Sequence, residues 1–166
     1  PLEMCQTMNG MWGYKIADQN YMSAEELIRL IVRASSKGSN LLINIGPQPD
    51  GRLPQIALDR LAVVGEWMKV NGESVYGTSS TGIPEQEWGV TTCKDSRLFL
   101  HVFKPQEDGQ IVLPVDSISK KGRLKVKSVK AMKDGTPLKY KVTDGRLVIT
   151  LSEVPSDIDY VIKVEL

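Results

Sequence analysis

Apolar and polar positions change rhythm once along this chain, near Gly72. Before that point the spacing is helical and strand-like by turns. Ser23-Ala24-Glu25-Glu26 fits a capping box, in which the serine side chain and the glutamate three residues on satisfy each other's backbone amides. Leu27, Leu30, Ile31 and Ala34 then recur at helical spacing, and Gly38 suits the left-handed position that ends a helix. One amphipathic helix is predicted. In the stretch "NLLINIGPQPDG", Asn40 to Gly51, an apolar run from Leu41 to Ile45 is stopped by Gly46 and Pro47. Such a run predicts a strand buried on both faces, as in a parallel sheet covered by helices. A second helix is predicted from about Pro54 to Val70, with Ala57, Leu61, Val64 and Met68 as its inner stripe, Trp67 beside it, and Asn71-Gly72 ending it. Helix, parallel-type strand, loop and helix is the order of β/α units.

After Gly72 the period becomes two. Leu124 and Val126 alternate with Lys125 and Lys127; Leu138, Tyr140 and Val142 alternate with Lys139 and Lys141; Leu147, Ile149 and Leu151 alternate with Arg146, Val148 and Thr150. Asp-Gly pairs at Asp108, Asp134 and Asp144 sit between such runs and supply the positive φ angles of tight turns. The half from Glu73 to Leu166 therefore reads as antiparallel strands in a small β-sandwich. The segment Gly72 to Gly82, rich in Gly, Ser and Thr, suits a linker or a first edge strand. Two helices with one or two strands leave a parallel sheet with open edges. The expectation is that part of it precedes Pro1, which is itself not a starting Met and reads as an excised or processed end.

Composition narrows the function classes. A net charge of +1, with 41% apolar and 25% charged residues, gives no reason to expect nucleic acid or a membrane as partner. No apolar run approaches the roughly 18 residues of a membrane-spanning helix. Cys5 and Cys93 are too far apart to set a disulfide framework or a metal-ligand spacing, and with His101 as the only histidine neither a zinc site nor a hydrolase triad is expected. His101 reads as a strand residue facing solvent or a polar neighbour. The glycines of "IGPQPDG" lack the spacing of a phosphate-binding loop, so no cofactor is expected. Seven basic residues between Lys120 and Lys133, with no acidic one, form a run without interleaved aromatics. It reads as a solvated face whose lysines guard a strand edge.

Three stretches carry a resemblance. "EMCQTMNGMWGY", the helix "SAEELIRLIVRASSKGSN" and "NLLINIGPQPDG", followed by "LAVVGEWMKVNGESVYGT", resemble the closing part of the catalytic barrel of the α-L-fucosidases of glycoside hydrolase family 29. The remainder resembles that family's C-terminal β-sandwich. The resemblance implies a fold class of α/β plus all-β: residues 1–72 as terminal β/α units of an incomplete (β/α)₈ barrel, which takes about 250 residues when complete, and residues 73–166 as the sandwich. Two positions depart from the family pattern, Leu2 where members often have Trp and Met11 where they often have Ser.

The implied activity is retaining removal of terminal α-L-fucose from glycans and glycoconjugates, by two carboxyl groups about 5 Å apart across the glycosidic bond. The resemblance puts the nucleophile on a middle barrel strand upstream of Pro1, so the chain's implied partners are the missing N-terminal part of the barrel and a fucosylated glycan, and alone it should be inactive. It implies a secreted, periplasmic or lysosomal setting. Glu3 is the implied acid/base, at the C-terminal end of a barrel strand between Leu2 and Met4; taken without the resemblance it reads as an ordinary surface carboxylate. Trp12 and Tyr14 are the implied substrate-binding aromatics, an indole face suiting the C–H face and methyl group of a 6-deoxy sugar. Without the resemblance both rings read as core filler. Met4, Met8 and Met11 read as packing, and Asn44, polar within an apolar strand, should be satisfied by a neighbouring loop. The rival class is a non-catalytic carbohydrate-binding or structural sandwich. Trp88, Tyr76, Tyr140 and Tyr160 are the only Trp or Tyr after Gly72, a scarcity that favours a structural role.

Overall fold

The computed structural model describes residues 2–115 and 125–166. Strand β1 (Leu2–Thr7) leads through a long loop to helix α1 (Ala24–Ser36), strand β2 (Ser39–Asn44) and helix α2 (Gln55–Asn71). β1 and β2 pair in parallel, Thr7 opposite Asn44 and Glu3 opposite Asn40. The capping box forms: the Ser23 hydroxyl accepts from the Glu26 amide at 3.1 Å and the Ser23 amide donates to the Glu26 carboxylate at 2.7 Å. Beyond the other end of α1, Gly38 takes φ +69°, so the chain turns directly into β2.

The helices cover one face of the parallel pair. Met8, Leu27, Ile28, Ala57 and Val64 form the buried centre, with Ile43, Ile45, Leu61, Trp67 and Met68 packed around it. The α2 stripe is the one its sequence predicts. On α1 the buried residues are Ala24, Leu27, Ile28, Val32 and Ala34, so the stripe is rotated from the predicted one and Leu30 is only half-buried. Predicted burial fails on β2. The strand spans Ser39–Asn44 rather than Leu41 to Ile45, and Leu42 is 45% exposed. β1 is its one paired neighbour among the described residues, and no second layer covers the face away from the helices.

A 3₁₀ turn, Gly72–Ser74, leads to the antiparallel part: β3 (Ser79–Ser80), β4 (Gly89–Lys94), β5 (Arg97–Val102), β6 (Gln110–Pro114), β7 (Ser128–Ala131), β8 (Lys139–Thr143), β9 (Arg146–Thr150) and β10 (Tyr160–Glu165). They form a five-stranded sheet in the order β3-β4-β5-β10-β7 and a three-stranded sheet in the order β6-β9-β8. One core lies between them, with Leu98, Leu100, Val102, Val129, Ile162 and Val164 facing Ile111, Leu113, Leu147 and Ile149. Of the Asp-Gly pairs, Asp144-Gly145 is the one with both residues at positive φ, 46° and 69°, and it closes the β8–β9 hairpin. At Asp108 and Asp134 only the glycine is left-handed.

The alternation at Leu124 and Val126 does not continue into a strand. Residues 125–127 are irregular and β7 starts at Ser128, while Leu124, and with it Lys120, Lys121 and Arg123 of the basic run, lie outside the described residues. His101 does not face solvent: it is fully buried against Asp159.

The two parts touch along α1 and the turn after α2. Arg29 and Arg33 of α1 stack on the Phe103 ring, 5.4 and 5.1 Å from its centroid, and Arg29 also donates to the Phe103 carbonyl. Arg33 pairs with Glu85 at 2.9 Å. Glu73 in the turn takes Arg97 of β5 at 2.6 Å and Lys163 of β10 at 2.9 Å.

Candidate functional site

In β/α architectures the functional end of a parallel sheet is the C-terminal end of its strands. Here that end carries Thr7 and Asn44, side by side in register. Both are short polar side chains in largely apolar strands, and both point their polar atoms at the loop that follows β1. The Asn44 amide donates to the Trp12 carbonyl oxygen at 2.7 Å and makes a longer contact, 3.4 Å, to the Thr7 hydroxyl. The Thr7 hydroxyl lies 3.0 Å from the Met11 carbonyl oxygen and 3.1 Å from Asn9 Oδ1. Two consecutive loop carbonyls are thus held by side chains rooted in the strands.

The loop after β2 closes on the same segment. A methyl group at Gly46 would stand 2.6 Å from the Gly13 carbonyl carbon and from the Tyr14 amide nitrogen, closer than real side chains approach backbone. Gly46 is therefore what lets the β2 loop seat on Gly13-Tyr14. So pinned, the loop presents Trp12 with 54% and Met11 with 46% of its surface exposed, while Tyr14 is half-buried. A rigidly held, half-exposed indole offers a flat apolar face with backbone polar groups beside it, a surface on which a sugar ring stacks.

Trp12 and Tyr14 are brought together here; Glu3 is not. Its expected place at the C-terminal end of a strand does not hold, because Glu3 is the second residue of a strand that runs to Thr7. Four residue steps of extended chain separate it from Thr7, roughly 13 Å at strand rise. Its register partner Asn40 belongs to the opposite end of the pair, where an apolar cleft of about 630 Å³ opens between α1, α2 and the start of β2, lined by Ile31, Leu41, Val64, Met68 and Tyr76. Glu3 is also the only carboxylate on either strand. The parallel pair by itself holds no second carboxyl group for a two-carboxylate mechanism.

Asn44 is satisfied by a neighbouring loop, as its position in an apolar strand implies. The parts that sequence reasoning missed are Thr7, Asn9 and Gly46. The signal for Gly46 was its place directly after the apolar run, read only as a strand stop; for Thr7 it was a lone hydroxyl at the end of "EMCQT". Met8 packs in the core as expected, whereas Met11 is exposed. Cys5 and Cys93 are both free thiols, and burial pushes that of Cys93 up.

With this geometry in view, the likeness to known proteins is specific. The family model described as alpha-L-fucosidase matches residues 1–73. Human plasma alpha-L-fucosidase is 32% identical over 146 residues, which is 83% of this chain and 30% of that protein. An alpha-L-fucosidase of Dictyostelium discoideum is 32% identical over 116 residues, 67% of this chain and 25% of its own length. Among solved structures, alpha-L-fucosidase isoenzyme 1 from Paenibacillus thiaminolyticus superposes with TM-score 0.87 at 32% identity, over 99% of this chain and 39% of that one. The Thermotoga maritima alpha-fucosidase bound to a mechanism-based inhibitor gives TM-score 0.81 at 28% identity, again over 99% of this chain and 39% of its own. The chain thus spans well under half the length of the relatives it matches.

Proposed function

This chain belongs to the α-L-fucosidase family of glycoside hydrolases, and from that premise we propose that it is the C-terminal part of a retaining exo-α-L-fucosidase acting on fucosylated glycans. In this reading residues 1–72 are the last β/α units of the (β/α)₈ catalytic barrel and residues 73–166 its β-sandwich. The observation that carries the proposal is the Trp12 loop. It sits at the C-terminal ends of a parallel strand pair, where barrel enzymes build their sites, and it is held by Thr7, Asn44 and Gly46 in a form that serves recognition rather than packing.

The chemistry divides accordingly. Retention needs a nucleophilic and an acid/base carboxyl group about 5 Å apart. The parallel pair offers Glu3 alone, at the end remote from Trp12. The chain therefore contributes a sugar-facing wall, and the reacting carboxyl groups come from strands outside it. Alone it is inactive. Trp12 stacks on the fucose face, Tyr14 backs it, and Asn44 and Thr7 fix the loop that carries both.

Grafting tests this. The chain replaces the matching segment of the Paenibacillus fucosidase, and turnover of an aryl α-L-fucoside is measured for the chimera and for the chain alone. Turnover by the chimera and none by the chain is the expected result. A folded but inert chimera, or an active chain, overturns it. In the chimera, Glu3→Ala leaves activated and unactivated fucosides equally well hydrolysed. Selective loss on poor leaving groups, rescued by azide, would return the acid/base role to Glu3.

A binding sandwich finds little support in the antiparallel part. Trp88 and Tyr160 are buried, and of the four aromatics only Tyr76 and Tyr140 are exposed. Tyr76 follows the 3₁₀ turn and Tyr140 lies on β8 of the smaller sheet, so they do not form one platform.

A further inference from the structure

A cavity of about 390 Å³ opens on the seam between the two parts, with Glu66, Trp67 and Asn71 of α2 on one side and the segment from Ser156 to Val161 on the other. Two polar atoms of its lining residues are buried without a protein partner among the described residues: the indole Nε1 of Trp67 and Oδ1 of Asp159. They come from opposite sides of the seam. Asp159 is only 3% exposed, and its other oxygen, Oδ2, lies 2.8 Å from His101 Nδ1. The Trp67 ring is itself 6.5 Å from the His101 ring, centroid to centroid, so the two orphaned atoms share one neighbourhood. A buried donor and a buried acceptor are each costly to leave unpaired. The cavity is roomy enough to hold a small ligand as well as water.

These two atoms restrict what can sit between them. An indole N–H only donates and a carboxylate oxygen accepts, so an occupant must offer an acceptor to Trp67 and a donor to Asp159. An ammonium ion has no acceptor. A carboxylate has no donor, and it would find no free cation in the charged part of the wall. Lys133 is held by Asp157 at 3.1 Å and lies over the Tyr160 ring, and Glu66 is paired with Lys69. A hydroxyl group is the smallest group that both accepts and donates. The apolar side chains of Ile28, Val63 and Ile158 in the same wall suit the C–H groups that separate the hydroxyls of a polyol. We propose that the seam cavity is a hydroxyl-binding site, filled by a small neutral polyol or by water, in which hydroxyl oxygen accepts from Trp67 Nε1 and a hydroxyl proton is donated to Asp159 Oδ1. One hydroxyl, or two neighbouring ones, completes a bridge from α2 to the segment entering β10.

Glycerol is the probe, and indole N–H NMR on the isotope-labelled whole chain is the readout. The chain has three tryptophans, and Trp88 Nε1 already donates to the Val112 carbonyl oxygen at 3.0 Å, so its signal serves as an internal reference. Glycerol should shift the Trp67 indole signal saturably, with cross-relaxation between the Nε1 proton and glycerol protons, while Trp88 stays fixed. Cross-relaxation with long-lived water and no saturation by glycerol would keep the bridge and make solvent its source. If glycerol binds, Trp67→Phe, which keeps a ring but removes the donor, should weaken it about 3- to 10-fold as read at the Ile158 and Tyr160 amides; unchanged affinity in the folded variant overturns the bridge. A Trp67 Nε1 proton that contacts neither water nor glycerol overturns the site. A saturable shift with sodium acetate or ammonium chloride, and none with glycerol, overturns the ligand class. The indole readouts come from the unmodified chain and hold should Trp67→Phe fail to fold.

Discussion

β2 and β9 are both apolar strands, yet they live differently. β9 has a partner on each side, β6 and β8, and a second sheet across from it, and its Leu147 and Ile149 are completely buried. Among the described residues β2 pairs only with β1 and carries helices on one face, and its Leu42 is 45% exposed. The same contrast runs through the whole molecule. Leu2, Met11, Trp12, Ile16, Leu53, Leu58, Val63 and Val70 are all exposed in the β/α part, three of them around α2. A helix with apolar residues on every side belongs inside a larger assembly. Strand apolarity states what a strand will tolerate on its faces; the number of neighbouring layers decides whether it is buried.

Core truncation is the strongest way to probe that contrast. Leu147→Ala removes a fully buried side chain between two sheets, and a loss of about 2–5 kcal/mol in denaturant unfolding is expected. Leu42→Ala should change stability by less than about 0.5 kcal/mol. Native-state hydrogen exchange should rank the strands likewise, with Leu147 to Leu151 exchanging only through global unfolding and Leu42 to Ile45 through local opening. Equal strong protection of both strands in a monomeric chain would erase the distinction.

Within the β/α part, the loop pair at the strand ends should be the tight exception. Gly46→Ala forces a methyl group against the Gly13 and Tyr14 backbone, and overpacking of this kind costs about 1–3 kcal/mol. The loss should be local: Met11 to Tyr14 amides become exchange-labile while the antiparallel sheets keep their protection. A variant as stable as the parent, with Met11 to Tyr14 unchanged, would mean that the two loops part at no cost.

Most of the fold was legible because local rules and tertiary contacts agree. The capping box, Gly38, the α2 stripe and the Asp144-Gly145 hairpin each follow from residues within a few positions of one another. What was not legible depends on distant partners. The burial predicted for β2 presumed neighbours on both edges. His101 meets Asp159 across 58 positions of chain, so no local pattern could say which polar neighbour it faces. At the candidate site Trp12 and Tyr14 were singled out by the family resemblance, since by their own pattern both read as core filler, and the residues that fix them, Thr7 and Gly46, look like a strand end and a strand stop. Glu3 was set at the wrong end of its strand because the extent of β1 was never derived from its own alternation.

A smaller effect lies at the turn joining the parts. Burial alone would raise the Glu73 carboxyl, but hydrogen bonds from Lys163 and Arg97, and their charges, hold it below its usual value of 4.5. A carboxyl group lowered on folding stabilises the native state above its unfolded value, and that contribution is lost as pH falls through the folded one. Stability should therefore fall below about pH 4.5 more steeply in the parent than in Glu73→Gln. Because the pairs are partly exposed, the difference at neutral pH should be no more than about 1 kcal/mol. Parallel stability curves for the two proteins across that acid range would leave Glu73 with no part in joining the halves.

Trp12→Ala should have the smallest effect on folding of any large side chain tested, and this is what marks it as a site residue. More than half of the residue's surface is in contact with solvent, so truncation opens no cavity, and a stability change within about 0.5 kcal/mol is expected. A core tryptophan would lose about 3–5 kcal/mol on the same change. Binding should respond in the opposite sense. In the fucosidase chimera, removing the indole should weaken a fucose-mimicking inhibitor by about 1–3 kcal/mol, the scale of one large apolar contact removed from water. Asn44→Ala separates the ring from its support: Trp12 is still present, but its carbonyl loses the 2.7 Å amide donor. Inhibitor affinity should then fall by less than in Trp12→Ala, with the Trp12 amide gaining exchange. A large drop in melting temperature for Trp12→Ala, with inhibitor affinity intact, would make the indole a packing residue and move the sugar wall elsewhere.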